Sequence, residues 1–270
     1  MILGIANSEM ETKKPIVVKI GGSILGSHDT TIEDLVTLQK KGLLLVVVHG
    51  GGNRVTEWLE RQGTPTSFVR GLRVTDERSL EMVAAVLGGL VNTDLVAAIN
   101  SLGGRAIGMT GVDGNLIEGK REDAGLGYVG RIVKVNPEAV EAILVAGFIP
   151  LIAPPCAKSA EETANVPYLN INGDEIAGGL AAAMCAQSLI FLTDVEGIRD
   201  SQGNLLRKLT AEEVESLLSS GVIAGGMIPK AEAALNALKT TPLVQITDGR
   251  FPHALIGAVA GEIVGTVIIS

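Results

Sequence analysis

The sequence predicts an α/β protein, a three-layer αβα sandwich whose central sheet is open and mostly parallel. Three observations lead there. Short runs rich in β-branched residues alternate with helical patterns almost from end to end. Those runs are apolar at nearly every position, as strands covered on both faces are. The stretches between them carry helix start and stop signals, which gives each parallel crossover its helix.

The elements follow in order. The first strand spans 16–20. Thr30 and Glu33 have capping-box spacing ahead of a helix, and Gly42 closes that helix. A strand over 43–48 runs into His49-Gly50-Gly51-Gly52, with a helix from Asn53. Gly71-Leu-Arg-Val-Thr-Asp76 leads into a long helical pattern, then a strand over 105–110. Asp113-Gly114 signals a hairpin, and the charged segment 119–127 leads to a short strand over 128–135. Asn136-Pro137 supplies the cap and first residue of a helix over 138–146. A strand over 148–153 follows. Tyr168-Leu-Asn-Ile-Asn-Gly-Asp174 is extended and precedes an apolar helix over 175–185. After a strand over 188–193 comes a second hairpin near Ser201-Gln-Gly-Asn204. Thr210 and Glu213 make another capping box. Pro229 suits the first position of a helix running on over 231–238, and strands over 243–247 and 265–269 end the chain.

Residues 15–270 of the 270 form a single domain, with lobes expected over about 15–186 and 187–270. No unbroken apolar run approaches about eighteen residues, so no membrane span is expected. The first fourteen residues lack the basic start of a signal peptide, which points to the cytosol. Net charge is −8 without a basic block, and aromatic residues are 3 %, which argues against a nucleic-acid surface. Cys156 and Cys185 are expected as buried free thiols. His28, His49 and His253 lack metal-ligand spacing.

Chemistry concentrates where the strands end. Lys19 interrupts the first apolar run, and an unpaired ammonium costs roughly several kcal/mol to bury. An anion at the strand end makes its position tenable, and Gly21-Gly22 follows at once. His49-Gly50-Gly51-Gly52 repeats the arrangement: glycines let backbone amides close on anionic oxygens near a helix N-terminus. Both loops fall at the carboxyl edge of the sheet, where open α/β folds bind ligands. Arg73 is either a surface ion pair or a two-pronged carboxylate clamp. Asn170, Asn172 and Asp174 alternate along an extended segment, which puts three polar groups on one face; the plainer role for Asp174 is a helix cap. Lys230 in a first turn opposes the helix dipole unless an anion compensates. Thr193 and Asp194 end a strand at the same edge. Lys19, Lys230, Asp174 and the glycine amides together suit a phosphoryl group in transit between two oxygens. A carboxylate acceptor is already ionised at neutral pH and needs no general base.

Two other matches fail. Gly114–Arg121 nearly fits the P-loop, but Arg121 stands where a magnesium-binding hydroxyl belongs. Gly125–Gly130 fits GxGxxG, yet a charged loop precedes it and a strand follows, so a hairpin glycine cluster is the better reading.

VVKIGGS (17–23), VVVHGGG (46–52), GLRVTD (71–76), LGYVG (126–130), LNINGDEIAG (169–178), FLTDVEGI (191–198) and GGMIPK (225–230) resemble, in this order, the amino acid kinase family. The resemblance is strongest to the branch that acts on N-acetyl-L-glutamate. It implies an αβα sandwich with an amino-acid lobe and a nucleotide lobe. It implies transfer of the ATP γ-phosphate to the acetylglutamate side-chain carboxylate, in arginine biosynthesis. By motif position Lys19 and Lys230 resemble the transition-state lysines and Asp174 their organiser. Gly51, Gly52, Arg73 and Asn170 resemble the acceptor site. Gly21, Gly22, Gly50, Thr193, Asp194, Val195, Glu196, Gly197, Ile198, Gly226 and Met227 resemble the phosphate and nucleotide side. Mg2+ would arrive on the ATP phosphates, with no direct protein ligand. Departures from the arginine-inhibited members lead us to expect a homodimer rather than a hexamer. Ala258 stands where arginine-inhibited members carry a glutamate five residues after a histidine, here His253, so tight arginine inhibition is not expected. Two alternatives stay open: a kinase for carrier-protein-linked aminoadipate, and a non-enzymatic binding module of the same fold.

Overall fold

The computed structural model describes residues 13–22, 30–122, 124–262 and 264–270. Ser23, His28 and most of the N-terminal stretch read above lie outside the described residues. The large sheet is built from β1 (Ile16–Ile20), β2 (Leu45–His49), β5 (Ala106–Gly111), β6 (Ile117–Arg121), β7 (Val129–Val135), β8 (Ile149–Lys158), β9 (Tyr168–Ile171), β10 (Ser188–Thr193), β11 (Lys208–Thr210), β12 (Leu243–Asp248) and β13 (Thr266–Ile269). Its order is β11-β13-β12-β10-β1-β2-β8-β6-β7-β9, with β5 also on β8. The centre is parallel: β1 pairs with both β10 and β2, so Lys19 lies level with Phe191 and Val48. Antiparallel pairs occur toward the edges, β12–β13 on one side and β6–β7 and β8–β9 on the other. A separate small hairpin joins β3 (Phe68–Val69) to β4 (Leu72–Arg73).

Alternation along β1 sorts the layers. Ile16, Val18 and Ile20 face a core shared with α1 (Thr31–Lys40), α3 (Glu77–Ser101) and α8 (Ala254–Val259). Val17 faces the other core, with α4 (Glu138–Val145), α5 (Gly173–Ala183), α6 (Ala211–Ser219) and α7 (Met227–Ala237). Lys19 shares that second face and reaches α5. The remaining helix, α2 (Gly52–Arg61), starts on the glycine turn after β2. Helices α5 and α7 approach closely because small residues line their contact. A side chain at Gly178 would press within 2.5 Å of the Ala233 carbonyl oxygen.

Several expectations change. Thr30 does not complete a capping box, because its hydroxyl accepts the His253 N–H at 2.6 Å and ties α1 to the loop before α8. The box at Thr210 and Glu213 forms as read. Asp113-Gly114 is a turn between two strands that both lie parallel to β8, not a hairpin; the hairpin is β6–β7. The Gly125–Gly130 cluster runs from a short 3-10 turn (Ala124–Leu126) into β7, with no helix after it. Pro229 is the third residue of α7, still within the turn whose N–H groups have no helical acceptor. Cys156 is buried, whereas Cys185 is exposed, turned outward after α5 at φ +46. Helix α3 is long and apolar enough, by length and composition, to cross a bilayer, which the search for an unbroken apolar run did not anticipate. In this fold its Val83, Val86, Leu87, Val91, Leu95 and Ile99 are buried in the core.

Candidate active site

The site forms where β1, β2, β9 and β10 end at one edge of the sheet. Asn172 caps α5 by accepting the Asp174 N–H at 2.7 Å, which sets Asp174 in the first turn with its carboxylate directed inward. Lys19 Nζ donates to Asp174 Oδ1 at 2.6 Å and Lys230 Nζ to Oδ2 at 2.9 Å. Gly173 lets the Lys19 stem pass close by: a Cβ there would lie 3.1 Å from it. Lys230 extends from the first turn of α7, and the close α5–α7 approach brings it within reach. Burial pushes the Asp174 carboxyl upward, but the two ammonium groups outweigh it and hold it below its ordinary value. The cluster is two cations around one anion, so it carries a net positive charge. Both Asp174 oxygens are engaged by lysines, and no group of three His, Cys, Asp or Glu among the described residues offers a metal cage.

The two glycine turns press together. A Cβ on Gly22 would lie 2.7 Å from the Gly51 nitrogen, and one on Gly51, at φ +132, would lie 2.8 Å from the Leu87 side chain. Close packing alone therefore requires these glycines, and it also sets their amides at the N-terminus of α2. A cavity of about 210 Å³ opens beside them, lined by Lys19, Gly22, Gly50–Gly52, Arg73, Asn170 and Asp174, among others. Arg73 is 8 % exposed and has no carboxylate partner among the described residues. Its Nη2 donates to Gly52 O and Thr56 Oγ1, each at 2.7 Å, while buried Nη1 has no acceptor among the described residues. Its guanidinium stacks 4.7 Å above the Phe68 ring, and burial lowers its pKa. Asn170 donates to Thr75 Oγ1 at 3.0 Å, and Thr75 in turn donates to Arg73 O.

The remaining residues read from the sequence are not among those lining this cavity. Gly21 donates to Leu192 O, next to Thr193, whose partner in the sheet is Asp248. Val195 is exposed. Glu196 forms an ion pair with Arg199. Ile198 is buried in the core, its N–H donating to Thr266 Oγ1, and a Cβ on Gly197 would strike that same hydroxyl at 2.4 Å. Ile198 and Gly197 therefore shape the loop rather than line the cleft. Gly226, just before Met227 and α7, lies against the tip of the β3–β4 hairpin, 3.4 Å from where a Gly71 Cβ would stand. Sequence reasoning missed that hairpin and with it Phe68 and Leu72, which line the cavity. It turns through Arg70 and Gly71, both at positive φ, and arginine is a poor advertisement for such a turn.

His49 is fully buried beneath the glycine turn, and burial lowers its pKa to about 4. In the unfolded chain histidine titrates near ~6.5. Between these values the unfolded state binds more protons, so stability falls as pH drops. The expected loss from His49 between pH 7.5 and 5 is about 2 kcal/mol. Urea unfolding at the two pH values, compared with His49→Asn, checks it: the variant should show that much less pH dependence.

Residues 14–248 match the amino acid kinase family. The chain belongs to that family. Among similar proteins, the acetylglutamate kinase of Dehalococcoides mccartyi strain BAV1 is 41 % identical over 254 residues, covering 94 % of this chain and 93 % of that one. The acetylglutamate kinase of Cereibacter sphaeroides ATH 2.4.9 is 43 % identical over 260 residues, covering 94 % and 87 %. Among solved structures, smu.665 from Streptococcus mutans superposes with a TM-score of 0.81 at 28 % identity, covering 94 % and 98 % of the two chains. The αβα architecture and its parallel centre are thus those of the family.

Proposed function

We propose that this protein transfers the γ-phosphoryl group of ATP to the side-chain carboxylate of N-acetyl-L-glutamate, a step of arginine biosynthesis. The observation that carries the reading is the buried Lys19–Asp174–Lys230 cluster, whose Lys19 and Asp174 line the same cavity as Arg73, an arginine with no carboxylate partner among the described residues. Arg73 Nη1 and the Asn170 side chain hold the acceptor. One acceptor carboxylate oxygen forms a bond to the γ-phosphorus, and the bond from that phosphorus to the β–γ bridging oxygen breaks, leaving ADP. The three equatorial oxygens carry charge throughout. Lys19, Lys230 and the Gly22, Gly51 and Gly52 amides hold that charge, and Asp174 keeps the lysines aimed without moving a proton. Gly21, Gly50, the strand ends at Thr193 and Asp194, the loop 195–198 and Gly226-Met227 form the nucleotide side. Mg2+ would be carried by the ATP phosphates, where it would offset their charge; Asp174, already shared by two lysines, holds the ammonium groups instead. The lobes meet near residue 186, although β1 and β10 pair directly and carry the sheet across that point. The relatives named acetylglutamate kinase favour the free amino-acid derivative as acceptor. The protein is cytosolic, a homodimer, and only weakly inhibited by arginine.

Incubation with ATP, Mg2+, acetylglutamate and hydroxylamine should yield the hydroxamate of the acyl phosphate, and millimolar arginine should leave its rate largely intact. Product only from carrier-linked aminoadipate would reassign the acceptor. Absence of product from any carboxylate in a substrate panel would overturn the kinase reading.

A further inference from the structure

We propose that His49 and Asn92 are a positioning couple that aims the Gly51 amide into the cleft, an inference that rests on the phosphoryl-transfer reading above. His49 follows Leu45 and Val47 on the face of β2 turned toward α3, the face opposite Lys19. Its Nδ1 lies 2.8 Å from the Gly50 carbonyl oxygen, which only accepts, so Nδ1 carries the proton. Its Nε2 lies 3.0 Å from Asn92 Nδ2, which also donates to Leu151 O at 3.1 Å. An amide nitrogen only donates, so Nε2 is the acceptor. Both contacts are satisfied together by one species, the neutral Nδ1–H imidazole.

Peptide geometry gives this bond its consequence. The Gly50 carbonyl and the Gly51 N–H belong to one planar trans unit and point in opposite directions. Drawing the carbonyl down onto His49 turns the N–H up, toward the Gly22 turn. Gly50 is held at its other end as well, where its N–H donates to Ile20 O at 2.9 Å. The Gly51 N–H itself has no acceptor among the described residues. The partner helix is shaped for the task. Asn92 immediately follows a π-helical stretch, Ala84–Val91, whose wider turns shift its register. Leu87 and Val91 of that stretch are the side chains packed against Gly51. One helix therefore backs the glycine turn and orients the imidazole that aims it.

The test has two parts. Long-range 15N–1H correlation of histidine-labelled protein should show His49 as the Nδ1–H tautomer; an Nε2–H pattern would overturn the proposal whether or not any variant folds. Kinetically, His49→Ala should lower kcat by at least about 10-fold, less than the roughly 100-fold or more of a donor removed outright because the amide is misaimed rather than lost, while KM for acetylglutamate moves less. His49→Asn places an amide N–H near the Nδ1 position and should recover most of that loss. Equal kcat in the two variants, or losses that only track the folded fraction, would refute it. Wild-type protein without hydroxamate product would instead refute the kinase reading, which keeps the two failures apart.

Discussion

Lys230→Ala is expected to lower kcat by about 100- to 1000-fold, the range seen when one aimed charge donor is taken from a transition state. Lys230 is the sharper of the two lysine tests. Its side chain keeps 17 % of its surface, while that of Lys19 keeps 8 % and lies inside the central strand. Removing Lys230 leaves Asp174 still paired with Lys19, so the fold loses one charged hydrogen bond, about 1.5–3 kcal/mol. Lys19→Ala strips a buried carboxylate of its nearer partner and leaves a hole in β1, so lost stability and lost turnover are mixed. Hydroxamate formation and a denaturant melt on the same Lys230→Ala preparation separate the effects. Turnover within threefold of wild type would remove Lys230 from the charge-holding role.

Arg73→Leu is expected to raise KM for acetylglutamate by about 100-fold or more, the scale of a lost charged pair in a desolvated pocket. Its effect on stability has the opposite sign. The guanidinium is buried without a carboxylate among the described residues, and one of its nitrogens finds no acceptor there. Such an ion costs desolvation with no Coulombic return until its partner arrives. Replacing it with the shorter, apolar leucine should leave the melting temperature unchanged or raise it. The hydrogen bonds to Gly52 O and Thr56 Oγ1 and the stack on Phe68 are what the variant gives up. Wild-type affinity together with a large drop in melting temperature would make Arg73 a structural residue. Acceptor titration and calorimetry of the free variant decide between the two.

Most of this architecture was legible because its signals are local. β1 and β10 fall at the residues read from their short, mostly apolar runs, as expected of strands covered on both faces. The Lys19, Asp174 and Lys230 cluster was legible from conflicts between residue and place: a cation in a core strand, and another against a helix dipole. What stayed hidden depends on partners distant in the chain. Thr30 has the spacing of a cap, yet His253, far away in sequence, takes its hydroxyl. Asp113-Gly114 has hairpin chemistry, but the flanking strands find β8 rather than each other. Phe68 and Leu72 belong to strands of two residues, too short for any period to register. Asn92 reads as one polar residue in an apolar helix, and only the tertiary fold shows it against His49.

The pressing together of the Gly22 and Gly51 turns bears on how such a chain can diverge. A methyl group on Gly22 would enter the backbone of Gly51, and one on Gly51 would strike Leu87, so three segments are interlocked and tolerate change only in concert. The Phe68–Arg73 hairpin is bound by no such constraint, since Phe68 is 55 % exposed and its partner strand is two residues long. Descendants of this sequence would more readily alter the hairpin, while the interlocked glycine turns pass on as an heirloom.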